Sequence, residues 1–510
     1  MKKILLVLVC FFLCVTLSHA QHIDRSKFVK DSIDFYINKA LTNWRIPGAA
    51  VCIVKDGKVV MMKAYGIKEL GLPAKVDINT LFMIGSNTKA FTATALAMLQ
   101  ADKKLSLDDK VTKYLPQFKL ENRPAGEMAI VRDLLCHRLG LQTFQGDFTF
   151  YNTNLTRGDI IERLGQVKAA YPFRTKWGYT NAAFLTAGQI IPVVTGKPWE
   201  QYLKENIFAP LGMSNTLALT ADMPKSLNRT VPHTLIDGRL SAIPYCQIDA
   251  LAPAGGISSS INDMSKWVMA LLNDGKVGTR QVIPAAAIKA TREAQDIVGS
   301  VKHLNGELNF ELYGLGWFIQ DYDNRRLIMH DGGVNGYVSS VTLVPQEHLG
   351  IVILTNTDQN EFFEALRWEI MDAYFKMQYR DYSEVYLANY KTEATAEQAA
   401  DRKLRDTVAL NRIPALSPVN YTGKYINDLY GSMTVTQGEN NDLEMRFEHH
   451  PRMYAHLQPL GGNRFYVTFS DATLGKAVFP FAVQNGKVTG VRVKVADFVE
   501  YNPYDFRKVQ

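Results

Sequence analysis

Apolar and polar residues alternate across residues 49–65 around Asp56-Gly57, a dipeptide that closes two-residue turns, and this predicts an antiparallel hairpin. Past Gly85 the pattern changes. Ser86 to Gln100 is rich in Ala, Leu and Met and predicts a helix with Ser86 at or near its N-terminus. From Leu105 to about Gly275, amphipathic stretches alternate with turn clusters such as Pro172-Phe173-Arg174 and Ala254-Gly255-Gly256, which predicts a mostly helical lobe. Short β-rich runs return at 313–319, 326–330, 337–344 and 350–356, separated by Asp323-Asn324, Gly332-Gly333 and Glu347-His348, as in an antiparallel meander. Residues 361–377 predict an amphipathic helix lying across that sheet. After Tyr379 a charged, Ala-rich stretch runs to Ser417-Pro418 and reads as a helical connector. Beyond Tyr421, Gly and aromatic residues punctuate short alternating segments at the spacing of a small all-β barrel or sandwich.

These elements predict an α+β fold class: an antiparallel sheet flanked by helices with a mostly helical lobe, followed by a small all-β domain. The expected division is a signal segment at 1–20, a main domain at 21–380, a helical linker at 381–418 and the β domain at 419–510. Lys2 and Lys3, the apolar run 4–17 and Ser18-His19-Ala20 have the charge, length and small-residue site of a cleaved signal peptide, which would leave Gln21 first. Fourteen apolar residues are fewer than the ~20 that span a bilayer. The protein is expected to be exported, periplasmic or secreted, without stable membrane insertion; an uncleaved anchor is the alternative.

Composition changes this picture little. With 510 residues, 47% of them hydrophobic and 21% charged, the chain is ordinary globular material long enough for more than one core. Its net charge of +7 includes Lys2 and Lys3 and is spread without a basic run, so nucleic acid is not indicated. Cys52, Cys136 and Cys246 contain no C-x-x-C pair and read as buried small hydrophobes. No ligand spacing suggests a metal, and no cofactor is expected. His449-His450, beside Pro451, reads as a solvent-facing pair.

Three short elements carry the candidate chemistry. Ser86 and Lys89 share a helix face, so a desolvated Lys89 can take the Ser86 proton, while the helix start offers N–H groups to an oxyanion. Taken alone, the pair also reads as a helix cap and a solvent-facing lysine. Tyr179-Thr180-Asn181 offers a phenol that could pass a proton to a leaving group and an amide that could bind a substrate carbonyl or steady the lysine. Tyr36-Ile37-Asn38, Tyr322-Asp323-Asn324 and Tyr425-Ile426-Asn427 match the same pattern. His330-Asp331-Gly332-Gly333, at a strand end, would let substrate lie against the strand edge and expose a backbone N–H. The rival His348-Leu349-Gly350 falls in a hairpin turn. Cys136-His137 could suggest a thiol nucleophile, but adjacent helical residues point about 100° apart.

The order S-x-x-K, Y-x-N, H-x-G, with Asp133 to Leu141, Ala254-Gly255-Gly256-Ile257, Tyr313-Gly314-Leu315-Gly316-Trp317 and Leu354-Thr355-Asn356, resembles the serine β-lactamase-related hydrolases: class C β-lactamases, low-molecular-weight penicillin-binding proteins and related esterases. The resemblance covers most of residues 30–378, and the segment from about Asn420 to Gln510 resembles the small β-barrel often appended to them. It implies Ser86 as nucleophile, Lys89 as base, Tyr179 as proton shuttle, Asn181, His330 and Gly332 in substrate binding, and the Ser86 and Gly333 N–H groups as oxyanion hole. In that family His137 is structural. His330 replaces a lysine, which weakens recognition of a substrate carboxylate. The expected function is an exported serine hydrolase acting through a Ser86 acyl-enzyme on an ester or amide: a D-amino-acid peptide, a peptidoglycan fragment, a β-lactam or a small ester. The alternatives are an acyltransferase using the same acyl-enzyme and a non-catalytic sensor on the same fold. The partner is a small-molecule or peptide substrate. Loops at 146–153, 223–243 and 298–310 are expected to line the pocket, and the sequence leaves the oligomeric state open.

Overall fold

Strand β1 (Gly48–Lys55) is buried along both faces, because its alternate residues serve two cores. Ala49, Val51 and Ile53 pack toward one, and Ala50, Cys52 and Val54 toward the other, as a side-chain period of two requires. The computed structural model to which β1 belongs describes residues 27–304, 308–439 and 441–509; the predicted signal segment at 1–20 lies outside them.

Strand β2 (Lys58–Gly66) follows β1 through Asp56-Gly57, both at positive φ, the turn that matches strand twist. Strands β3 (Asp296–Lys302), β4 (Leu308–Tyr313), β5 (Phe318–Tyr322), β6 (Arg325–Val334), β7 (Tyr337–Val344) and β8 (Leu349–Thr355) complete an eight-stranded sheet, order β2-β1-β8-β7-β6-β5-β4-β3. Every neighbouring pair is antiparallel. The apolar side chains of helices α1 (Ile33–Trp44) and α5 (Phe362–Phe375) cover one face. The other face carries α4 (Ile261–Leu272) and the helical lobe, which holds α2 (Thr88–Ala101) and α3 (Asn181–Thr195). Each fully buried Val, Ile or Leu contributes roughly 1.5–3 kcal/mol to this sandwich.

Helix α6 (Tyr382–Ala409) leads to a closed eight-stranded barrel, which opens with β9 (Gly423–Asn427) and β10 (Gly431–Gln437) and ends with β15 (Lys487–Val493) and β16 (Tyr504–Lys508), the four strands between being β11–β14. Closure removes the sheet edges that would otherwise invite other chains. The barrel core runs on into the lobe through Phe148, whose ring stacks on His450 at 4.2 Å and reaches Tyr504, Tyr430 and Phe447 within 5.9 Å.

Three expectations are corrected. His450 does not face solvent: it is 2% exposed with Nδ1 2.7 Å from the Tyr151 carbonyl, while the half-buried His449 meets Arg163 and Asn154, because the barrel end docks on the lobe there. Residues 313–319 are not one strand. Tyr313 ends β4, residues 314–317 turn, and a Cβ on Gly316 (φ +75°) would lie 2.8 Å from the Lys89 carbonyl oxygen, so the turn is pressed against α2. Residues 298–310 are not a pocket loop; those described belong mainly to β3 and β4 at the far sheet edge, and none of them lines the cleft described below.

Candidate active site

The 3₁₀ turn Gly85–Asn87 delivers Ser86 into the N-terminus of α2, and Gly85 takes φ +50° there. A Cβ on Gly85 would lie 2.8 Å from the Gly333 carbonyl oxygen, so the nucleophile turn sits directly on β6. Lys89, on the next helical turn, is fully buried. Its Nζ lies 3.1 Å from Ser86 Oγ, 2.7 Å from Asn181 Oδ1 and 2.8 Å from the Ala254 carbonyl oxygen. Two acceptor-only oxygens take two N–H bonds, which leaves the lone pair of a neutral amine free for the Ser86 hydroxyl proton. Burial pulls the Lys89 ammonium down to about 7, against an opposing attraction from Asp147.

Tyr179 precedes α3 and is buried, its ring centroid 4.6 Å from Lys89 Nζ. Burial, with the Asp147 charge, pushes its phenol up, so it stays protonated at neutral pH. The His137 ring packs 4.3 Å from the Tyr179 ring and Phe144 meets it edge-on at 5.6 Å. His137 Nδ1 accepts the Thr180 N–H at 3.0 Å, and burial holds His137 well below the usual imidazole range; it supports the tyrosine as a neutral wedge. Burial pushes the Cys136 thiol up to about 12, which leaves it the weakly reactive thiol form.

His330 is 2% exposed. Its Nδ1 is 2.6 Å from the Asp331 carbonyl and therefore carries the proton, while Nε2 accepts from the Tyr313 hydroxyl at 3.1 Å. Burial, reinforced by Lys89, pulls it down to about 4, so it brings no positive charge. The last pairing of β6 with β5 is Met329↔Phe318, which leaves its edge from His330 to Val334 without a β5 partner along the cleft. Such an edge offers N–H and C=O groups to an extended substrate. A Cβ on Gly332 would fall 2.0 Å from the Ile84 carbonyl oxygen, whereas one on Gly333 meets nothing within 4 Å.

Ser86, Tyr179, Asn181, His330, Gly332 and Gly333 all line one cleft of about 920 Å³, with Lys89 immediately behind Ser86. The rival Tyr-x-Asn triplets and His348 do not line it. Among the described lining residues are Asp147, Asp331, Asp358 and Asp497, and no Lys or Arg. No group of three or more His, Cys, Asp or Glu among the described residues is placed to hold a metal ion.

Two residues of the site escaped the sequence reading. Asp147 accepts from Asn181 Nδ2 at 2.6 Å and is 2% exposed; Glu500, 1% exposed, accepts from the backbone N–H groups of Gly146 and Phe148. The signal that could have found them is local: each is an acid set among aromatics, Phe144, Phe148 and Phe150 around the first and Phe498, Tyr501 and Tyr504 around the second.

A family model described as Beta-lactamase matches residues 33–375, and one described as a domain of unknown function, DUF3471, matches residues 409–508. The chain is 27% identical over 425 residues to an unguisins hydrolase, ungD', of Aspergillus campestris, covering 80% of this chain and 78% of that protein. It is 27% identical over 329 residues to protein flp of Staphylococcus aureus, spanning 64% of this chain and 63% of that one. Among solved structures it resembles the octameric penicillin-binding protein homologue from Pyrococcus abyssi (TM-score 0.60, 21% identity, 93% of this chain and 99% of that one). It also resembles a D-stereospecific amidohydrolase from Streptomyces sp. (TM-score 0.52, 21% identity, 64% and 94%). At these identities the structural likenesses concern the fold.

Proposed function

Because the chain belongs to the Beta-lactamase family, a fold family of serine hydrolases, we propose that it hydrolyses an ester or amide through an acyl-enzyme on Ser86. The observation that carries this is the 3.1 Å approach of a desolvated Lys89 amine to Ser86 Oγ. In this reading Lys89 takes the hydroxyl proton as Oγ attacks the carbonyl carbon, and the Ser86 and Gly333 N–H groups hold the resulting oxyanion. Tyr179, still protonated, gives its proton to the leaving alcohol or amine and is resupplied from the Lys89 ammonium beside its ring, which holds the proton taken from Ser86. Water then attacks the acyl carbon, loses a proton to the same pair, and releases the acid and free Ser86. Asn181 keeps the amine aimed.

The cleft sets the substrate's charge. Its aspartates are largely cancelled, Asp331 by Arg367, Asp497 by Lys494, and Asp147 and Asp358 by burial that raises both; with His330 neutral and no Lys or Arg among the described lining residues, nothing there pairs with a carboxylate beside the scissile bond. Neutral or cationic esters and amides fit. The name of one relative, an unguisins hydrolase, agrees with hydrolysis, and that of a D-stereospecific amidohydrolase of similar fold agrees with amide cleavage. Export by the segment at 1–20, and a division into a hydrolase unit to 380, a connector to 418 and a barrel unit from 419, belong to the same proposal.

The test is turnover of matched esters and anilides that differ only in carrying a neutral, ammonium or carboxylate group near the scissile bond. Neutral and cationic members should be cleaved with kcat/KM at least about tenfold above the carboxylate member, and Ser86→Ala should cleave none. A preference for the carboxylate, or turnover by Ser86→Ala, contradicts the proposal.

A further inference from the structure

The Lys89 amine is held by Asn181, Asn181 by Asp147, and the Asp147 turn in its turn from outside the catalytic lobe. Asn181 Nδ2 donates to Asp147 Oδ2 at 2.6 Å, and Asp147 sits in a tight turn whose flanking N–H groups, Gly146 and Phe148, both point at one carboxylate. That carboxylate is Glu500, 2.9 and 3.2 Å away, carried on the loop between β15 and β16 of the barrel. Tyr430, from the hairpin joining β9 and β10, donates its hydroxyl to the same carboxylate at 2.7 Å. Phe148 is meanwhile inserted among His450, Tyr504 and Phe447 at the barrel end. The loop that bears Glu500 also puts Asp497, Phe498, Val499 and Tyr501 on the cleft wall.

We propose that Glu500 is a positioning residue for the reaction: the barrel uses it to clamp the Asp147 turn and thereby, through Asn181, to set the Lys89 amine against Ser86. The proposal rests on the acyl-enzyme reading above. Alternating hydrogen bonds run Glu500, turn N–H groups, Asp147, Asn181, Lys89, Ser86, and each partner is buried or partly buried, so a slack link is transmitted rather than absorbed by water.

The clamp also has an electrostatic arm. Glu500 is faced by Asp147 from the lobe turn, Tyr430 and Tyr504 from the barrel, and Lys494, whose ammonium donates to the Glu500 main-chain carbonyl. Lys89 is faced by Ser86, Tyr179, Asn181, His137, His330 and Asp147, of which only Asp147 is an acid. Burial, and after it the Glu500 charge, oppose ionisation of Asp147, and an ionised Asp147 would hold the proton on Lys89; burial pushes Glu500 itself up to about 7. Removing the Glu500 charge therefore eases ionisation of Asp147 and moves upward the pH at which Lys89 becomes a base.

The experiment measures the rate at which a fluorophosphonate probe phosphonylates the full chain across pH, fluoride leaving as Oγ attacks phosphorus, with peptide mapping of the labelled residue and thermal melting of each variant. Glu500→Gln keeps the side chain's size but removes the charge and one acceptor. Its plateau rate should fall about 10- to 100-fold, and its midpoint should move upward. Tyr430→Phe, which withdraws one donor from the carboxylate, should shift both in the same directions by less. If Glu500→Gln does not fold, Tyr430→Phe decides. Wild-type rate and midpoint in the folded variant overturn the proposal, as does a slower rate with an unmoved midpoint, the signature of general loosening. Wild-type labelling at a residue other than Ser86 instead overturns the acyl-enzyme reading, and this proposal with it.

Discussion

A lysine taken out of water loses its proton more readily, since the charged form gives up hydration, and Lys89 has only one acid near enough to resist that loss. Its three neighbours fix where the lone pair points. Acylation should therefore rise with pH through a midpoint near 7, following the unprotonated amine. No fall should follow below about pH 10, because the Tyr179 phenol is pushed up by burial. A stopped-flow profile with an activated ester checks this; a midpoint near the ordinary lysine value would refute it. Ser86, Lys89, Tyr179, Asn181 and His330 were legible in the sequence because each motif is local, a few residues set by helix or strand geometry. Asp147 and Glu500 were not. They are joined across 353 positions of chain through main-chain N–H groups, so the aromatics around each acid mark it singly while nothing in the side-chain pattern pairs the two.

At the level of elements, what matters is how closely β6 approaches the nucleophile turn. Gly332 has no room for a methyl: a Cβ there would lie 2.0 Å from the Ile84 carbonyl oxygen and 2.6 Å from Ser339 Oγ, which itself donates to that carbonyl at 2.8 Å. Gly332→Ala should cost at least about 1–3 kcal/mol and slow acylation by displacing Ser86. Gly333→Ala, with nothing within 4 Å of its Cβ, should melt close to wild type. Melting curves of the two variants test this pair; equal stabilities would show that the approach is looser than described. The strands were legible where both flanks carried turn residues, as with Asp56-Gly57 and Glu347-His348. At 313–319 the apolar run hid a turn, because its glycines serve contact with α2 as well as chain reversal. The edge strand β3 and its neighbour β4 were missed for a related reason: β3 exposes Ile297 and β4 exposes Phe310, so neither presents a clean alternation.

Across the whole molecule, the sheet, the lobe and the barrel meet at one cleft. The fold class was readable from the succession of periods along the chain, from hairpin to helical lobe to meander to barrel. How the barrel docks was not, since it depends on Phe148 and His450 stacking between units whose sequences look self-contained. Docking leaves a cleft with no lining Lys or Arg among the described residues and a lysine beside Ser86 pulled down to about 7. All of it depends on Ser86 becoming acylated. The most direct test is to trap the protein with a slowly deacylating ester and map the adduct by peptide mass spectrometry. One acyl group on the peptide containing Ser86, lost in Ser86→Ala, is the expected result; an adduct on Lys89, Cys136 or any other side chain would contradict it.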